Sequence, residues 1–285
     1  MKIEVKNLKK RYKGKTALDD VSFTIEEPKI YGLLGRNGAG KTTFMEILSG
    51  HILATSGEII IDGEEPFDNQ QLTESICLIK EGDNFKKELK VKHVLKIYAL
   101  FYPNWDQELA DDLIHEYKLD LNAKVKTLSK GMESALGITV GLASKAPITI
   151  FDEPYIGLDA AARQKFYEIL LEQYGLEKRT IIFSTHLIDE ASLLFEEVLI
   201  IQEGKLVLKE EAEVLRNNTF AVSGNKEEVE AYIANKEVIT KKQLAGMMTA
   251  YVYGDINQAK QMGLAVEGVP IQDLMIYLTN DQKGA

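Results

Sequence analysis

Cysteine is almost missing from this chain: Cys77 is the only one in 285 residues. An intramolecular disulfide is therefore impossible, and a cysteine-based metal cluster has too few ligands. Cys77 sits in the apolar run Ile76 to Ile79 and reads as a small buried hydrophobe. No apolar run reaches the roughly 18 residues that a membrane-spanning helix needs. The start, Met1-Lys2-Ile3-Glu4, lacks the apolar core of a signal peptide, so a cytoplasmic location is expected. Positive charge is also short, with 34 Lys and Arg against 44 Asp and Glu and a net charge of −10. That balance argues against a broad electrostatic footprint for nucleic acid or anionic lipid; no nucleic-acid partner and no direct membrane insertion are expected. His51, His93 and His115 share no metal-ligand spacing, and no role is assigned to them.

What is present is an ordinary globular composition, 45% hydrophobic and 27% charged, in a chain long enough for two domains. Runs rich in β-branched residues occur at Val21 to Ile25, Lys29 to Leu34, Glu58 to Ile61, Ile148 to Phe151, Thr180 to Ser184 and Val198 to Ile201. Helical patterns separate them, which predicts an α/β domain with parallel pairing in the core and a more antiparallel first segment, a mixed β-sheet. Between about residues 86 and 145 a 3.6-residue period takes over, as in Val91, Val94, Leu95, Tyr98, Phe101 and Tyr102, and predicts a helical subdomain. The aromatic cluster Tyr98, Phe101, Tyr102 and Trp105 reads chiefly as its core, alternatively as the wall of a groove for a partner helix.

After Leu208 the charged run Lys209, Glu210, Glu211 and Glu213 reads as a solvated helix or connector. The expected division is thus a domain over 1–208 and a small C-terminal α+β domain over 209–285. From residue 218 the order strand, helix, two strands, helix, strand, helix is compatible with a ferredoxin-like arrangement. Ile271, Leu274, Met275 and Leu278 share one face of the last helix. Such a face is buried in its own domain, on the preceding one, or against a second subunit that it would then tether.

Gly35-Arg36-Asn37-Gly38-Ala39-Gly40-Lys41-Thr42 fits the phosphate loop G-x-x-x-x-G-K-[ST], between an expected strand and an expected helix. Glycines let successive backbone N–H groups turn toward a polyphosphate, and the helix start adds its positive end. Lys41 would reach the β and γ phosphates of ATP, Thr42 would ligate Mg²⁺ and Thr43 would donate to the α phosphate. The spacing is not that of a dinucleotide fold. A second site is the apolar strand Ile148 to Phe151 ending in Asp152-Glu153. Asp152 is placed to hold the magnesium water shell and Glu153 to polarise an attacking water.

With these residues in hand the chain resembles the ATP-binding cassette (ABC) ATPases that drive membrane transporters, over residues 1 to about 208. Leu128-Ser129-Lys130-Gly131-Met132 resembles the family signature, Gly157-Leu158-Asp159 its D-loop, and Ser184-Thr185-His186 the switch that ends in a histidine. The resemblance implies that Tyr12 stacks on adenine and that His186 serves catalysis with Glu153 and Lys41. It also implies that two cassettes pair head to tail, so that Ser129, Gly131 and Asp159 of one subunit complete the ATP site of the other. The membrane-spanning permease would be a separate chain, holding the ATPase at the inner face of the membrane, and the nearest subgroup resembled is bacterial exporters of drugs or peptides. This sequence departs from the family at Lys130, at Met132 and at Glu81, where a carboxylate replaces the Q-loop glutamine that would approach the metal. The departures suggest a weak regulatory cassette as one alternative. A soluble cassette of translation or DNA maintenance is another, but neither a second cassette nor a long coiled-coil insertion is present.

Overall fold

The computed structural model describes residues 1–254 and 256–279. Two sheets share one core. The first is antiparallel, in the order β2 (Lys15–Ile25), β1 (Ile3–Tyr12) and β4 (Ser56–Ile61). The second has six strands, ordered β5 (Ile76–Ile79), β6 (Ile148–Asp152), β7 (Thr180–Ser184), β3 (Ile30–Leu34), β8 (Glu197–Gln202) and β9 (Lys205–Glu211). All its pairs are parallel except β8 with β9.

Apolar strands without alternation are those buried on both faces, and here consecutive residues feed two cores. Tyr31, Leu33, Ile150, Ile182, Leu199 and Ile201 face the antiparallel sheet, joined by Phe44, Met45, Ile47 and Leu48 of helix α1 (Lys41–Leu48). Their neighbours Ile30, Leu34, Phe151, Phe183, Val198 and Ile200 face the helices on the other side. That layer includes α3 (Val91–Phe101), α4 (Gln107–Glu116), α5 (Lys130–Ala143) and α6 (Ala160–Leu176). The short α2 (Gln70–Ser75) leads into β5, where Cys77 is buried.

Two strands carry little sign in the sequence. In β1 the register shifts between Val5 and Leu8 around Asn7, whose φ is 45°, and this bulge breaks the period of two. β5 is only four residues long, too short for a pattern. The charged run after Leu208 needs correction: β9 continues through Glu211, so the expected boundary at 208 falls inside a strand paired with β8. Its residues alternate between exposed and half-buried, and the long stems of the charged side chains satisfy that edge position without apolar residues.

Helices α7 (Ile188–Ala191) and α8 (Ala212–Asn218) flank β8 and β9. Beyond them β10 (Thr219–Asn225), α9 (Lys226–Ile233), β11 (Val238–Leu244), β12 (Met247–Tyr253), α10 (Asn257–Gln261), β13 (Ala265–Gly268) and α11 (Ile271–Thr279) follow the expected order. The sheet runs β11-β12-β10-β13 with every neighbour antiparallel, which is the ferredoxin-like arrangement. Its own core is small, built on Val222, Val229, Tyr232, Met248 and Val252.

The apolar face of α11 is partly covered within the chain. Ile271 and Leu274 are buried, and α11 packs on α7, α8 and β11, in the same apolar core as Leu194 and Leu215. Leu274→Ala is therefore expected to cost about 2–5 kcal/mol of unfolding free energy, read from urea unfolding, by opening a cavity between α11 and the cassette.

Candidate functional site

The carboxyl ends of β3, β7 and β6 lie side by side, and the loops leaving them carry the polar residues. Asp152 ends β6 in register with Ser184 at the end of β7, which in turn neighbours Leu33 of β3. Open parallel sheets bind ligands at this edge. After β3 the chain forms the phosphate loop, closed by Ala39 N–H donating to the Arg36 carbonyl at 3.0 Å. Gly40, with φ of 113°, caps α1, and a β-carbon there would lie 2.4 Å from the Ala17 carbonyl oxygen. Only glycine permits both that conformation and that approach.

A cleft of about 350 Å³ opens over this loop, lined by Tyr12, Lys15, Asn37, Gly38, Gly40, Lys41, Thr42, Thr43, Glu81, Asp152 and Glu153. Ten of the residues singled out in the sequence thus meet in one place, although they come from four separated stretches of chain. Larger concavities exist elsewhere, but this one joins the phosphate loop to the acids that end β6.

Lys41 is 9% exposed, and its ammonium donates to the carbonyls of Gly35 at 2.7 Å and Arg36 at 3.4 Å. Among the described residues no carboxylate comes within ion-pair distance of it. Burial pushes its pKa below the ordinary lysine value, an effect that the charges of Glu153 and Asp152 only partly oppose. A buried cation held by neutral carbonyls is poised for an anionic ligand.

Thr42 Oγ1 donates to Asp152 Oδ2 at 2.6 Å, and Ser184 Oγ donates to Asp152 Oδ1 at 2.9 Å. Asp152 is buried, so both oxygens are fixed. The donor set is oxygen only, and among the described residues no group of three or more His, Cys, Asp or Glu could form a protein cage for a metal. A hydroxyl and one carboxylate suit Mg²⁺, which takes its remaining ligands from phosphates and water. Glu81 lines the same cleft from the loop after β5 and is exposed.

Glu153 follows in a left-handed conformation, φ 51°, unusual for a residue with a side chain. Its N–H donates to the Ser184 carbonyl at 3.2 Å. His186 Nδ1 lies 2.6 Å from Glu153 Oε2, and since the ionised carboxylate can only accept, Nδ1 carries the proton there. Tyr12 is 46% exposed at the rim, with Lys10 Nζ 5.2 Å from its ring centre.

Ser129, Gly131 and Asp159 do not line the cleft. Ser129 caps α5 by accepting from Met132 N–H at 3.2 Å, and Asp159 caps α6 by accepting from Ala162 N–H at 2.8 Å. The two helix starts are fastened together. A β-carbon on Gly131 would sit 2.4 Å from the Gly157 carbonyl oxygen, and Ser134 Oγ donates to the Ile156 carbonyl at 2.7 Å. Gly131 thus has a packing reason of its own. Of the departures, Met132 packs half-buried on the helical core and Lys130 is exposed.

Sequence reasoning passed over Lys15, whose Nζ would lie 3.5 Å from a β-carbon on Gly38, and Tyr155, which touches Glu153. Lys15 sits three residues after Tyr12 on the same hairpin, and that spacing was the available signal. Ser184 entered only as part of a motif; its bond to Asp152 depends on the β6–β7 register.

A strand, a phosphate loop and a helix, with an acid ending a strand two places away in the same sheet, define a phosphate-loop nucleotide-binding fold. The ABC transporter family model matches residues 18–156. A lantibiotic transport ATP-binding protein of Streptococcus pyogenes, SrtF, is 34% identical over 211 residues, which cover 73% of this chain and 90% of SrtF. The ABC transporter ATP-binding protein YtrB of Bacillus subtilis is 29% identical over 204 residues, covering 72% of this chain and 70% of YtrB. Among solved structures, an ATP-binding subunit of an ABC transporter is similar with a TM-score of 0.68 and 27% identity, over 76% of this chain and 92% of its own. A dimeric ATP-binding cassette bound to ADP and Pi shares the fold with a TM-score of 0.66 at 24% identity, over 74% and 98%. The chain belongs to the ABC transporter family.

Proposed function

We propose that this chain is the ATP-binding and ATP-hydrolysing subunit of an exporter of peptides or drugs, driving a permease on a separate chain. The observation that carries the reading is the linked set Thr42–Asp152–Ser184 beside the buried Lys41 ammonium and the Glu153–His186 pair. Export of peptide-like cargo is supported by the likeness to SrtF, a lantibiotic transport protein.

In this reading Tyr12 stacks on adenine, while the amides of Gly35, Asn37, Gly38, Ala39 and Gly40 cradle the phosphates and Thr43 donates to the α phosphate. Lys41 spans the β and γ phosphates. Thr42 and Asp152, with Glu81 across the cleft, hold Mg²⁺, which offsets phosphate charge when bound. Glu153 takes a proton from water as the water oxygen bonds to the γ phosphorus and the bond to the bridging oxygen of ADP breaks. His186 holds the carboxylate in place through Nδ1. Two subunits pair head to tail, and Ser129, Gly131 and Asp159 of one approach the nucleotide of the other. ATP then joins the cassettes and hydrolysis parts them. Residues beyond the cassette form an accessory unit.

The permease contact is supported by a groove of about 620 Å³ between β5 and α3, lined in part by Leu78, Phe85, Ile97, Tyr98 and Phe101. Leu100, on the same helix, is 80% exposed. An apolar groove of this kind suits a short amphipathic helix, and attachment through it would place the chain at the cytoplasmic face. Among the described residues no helix is long and apolar enough to cross a membrane.

The test is affinity purification of the tagged chain from detergent-solubilised membranes, with identification of the companion chain and assay of ATP hydrolysis with and without it. The expected result is a polytopic membrane protein in stable association and a rate that depends on it. Hydrolysis by a chain that never associates with membranes would overturn the transport reading.

A further inference from the structure

Glu153 has two carboxylate oxygens, and the surrounding residues treat them differently. Oε2 receives His186 Nδ1 at 2.6 Å and the Tyr155 hydroxyl at 2.9 Å. Among the described residues Oε1 receives no hydrogen bond. The carboxylate is therefore held by one oxygen and free at the other.

Tyr155 is 2% exposed, its ring set among Phe183 at 6.1 Å and His186 at 5.9 Å between centroids. Burial raises the phenol pKa and the Glu153 charge adds to the shift, so the hydroxyl keeps its proton and donates it. The direction is fixed by the carboxylate, which can only accept: the Tyr155 proton points to Glu153 Oε2. Thr185 Oγ1 is also hydrogen-bonded to the Tyr155 hydroxyl, so Thr185 donates its own proton to the Tyr155 oxygen, and it accepts in turn from Leu187 N–H at 2.8 Å. The chain runs from Leu187 N–H through Thr185 and Tyr155 to Oε2, and each donor in it has one acceptor.

We propose that Tyr155 is a positioning residue for hydrolysis: it clamps Oε2 of Glu153 together with His186, so that Oε1 is the oxygen that takes the proton from the attacking water. The assignment rests on Glu153 being the general base. It accounts for a buried tyrosine hydroxyl directed at an active-site carboxylate, where phenylalanine would fill the same aromatic packing. It also links the residues after β7, Thr185 to Leu187, to the geometry of the base. A carboxylate held by His186 alone swings about that one contact.

The experiment is steady-state ATP hydrolysis by the full chain, as isolated with its membrane partner, measured against ATP concentration for wild type, Tyr155→Phe, Thr185→Val, Glu153→Gln and the Tyr155→Phe/Glu153→Gln pair. Tyr155→Phe is expected to lower kcat by about 10- to 100-fold, the scale of a misplaced reacting group, with KM for ATP and the melting temperature unchanged. Thr185→Val lowers kcat in the same way and less far. In the Glu153→Gln background Tyr155→Phe has no further effect. Full turnover in Glu153→Gln would overturn the assignment of the base, and this proposal with it. An inactive Glu153→Gln beside a Tyr155→Phe with wild-type kcat would overturn the role of Tyr155 alone. So would a Tyr155→Phe whose loss of rate is matched by loss of ATP affinity or melting temperature.

Discussion

Glu153→Gln lowers ATP turnover by about 10²- to 10⁴-fold, the range for removing a general base, and leaves ATP binding in place. The amide keeps the size of the carboxylate and still accepts from His186 Nδ1 and the Tyr155 hydroxyl through its carbonyl oxygen, so the loop after β6 has no reason to move. What it loses is an oxygen able to take a proton. ATP is then bound but not consumed, and a cassette pair joined by ATP persists. Single-turnover hydrolysis, equilibrium binding of a fluorescent ATP analogue and sedimentation with ATP measure the three consequences. Near-wild-type turnover would remove Glu153 from the mechanism.

Lys41→Ala acts earlier, on binding. The ammonium is buried and among the described residues donates only to the carbonyls of Gly35 and Arg36, so ATP phosphates would meet an unneutralised charge. Charged hydrogen bonds contribute about 1.5–3 kcal/mol, which predicts roughly 10- to 150-fold weaker ATP binding by titration. Unchanged affinity would contradict the role.

The same lysine sets a pH dependence. Its pKa is lowered in the free chain by burial, and bound phosphates would raise it. The lysine contribution to affinity is therefore full below the free-chain pKa and declines as pH rises from there toward the pKa of the complex. Lys41→Ala should flatten that alkaline decline.

The phosphate loop and the Asp152-Glu153 pair were legible because their chemistry is local. A loop that wraps a phosphate needs glycines at set positions, and a buried strand that ends in two acids announces them. The long helices were legible for a similar reason, since the period of the helical subdomain is repeated over several turns. β1 was not, because the bulge at Asn7 breaks its alternation, and the end of β9 was not, because charged residues with long stems occupy an edge strand. The aromatic cluster serves both readings: Tyr102 is buried, donating to the Ile76 carbonyl, and Tyr98 and Trp105 pack on the helical core, while Tyr98, Phe101 and Tyr102 all line the groove.

Residue type and spacing along the chain were enough to establish the nucleotide-binding family, the phosphate loop and the order of elements, since each rests on interactions among near neighbours. Which carboxylate oxygen is held, which serine supports Asp152 and which surface covers α11 came from folding. These depend on strands placed in register by the sheet: β6 beside β7 sets Ser184 against Asp152, and the turn after β7 brings Thr185 to Tyr155. The face of α11 left its own domain, the cassette and a second subunit open as covers, because an apolar stripe records only that it must be covered. Packing against α7, α8 and β11 buries Ile271 and Leu274 within the same chain.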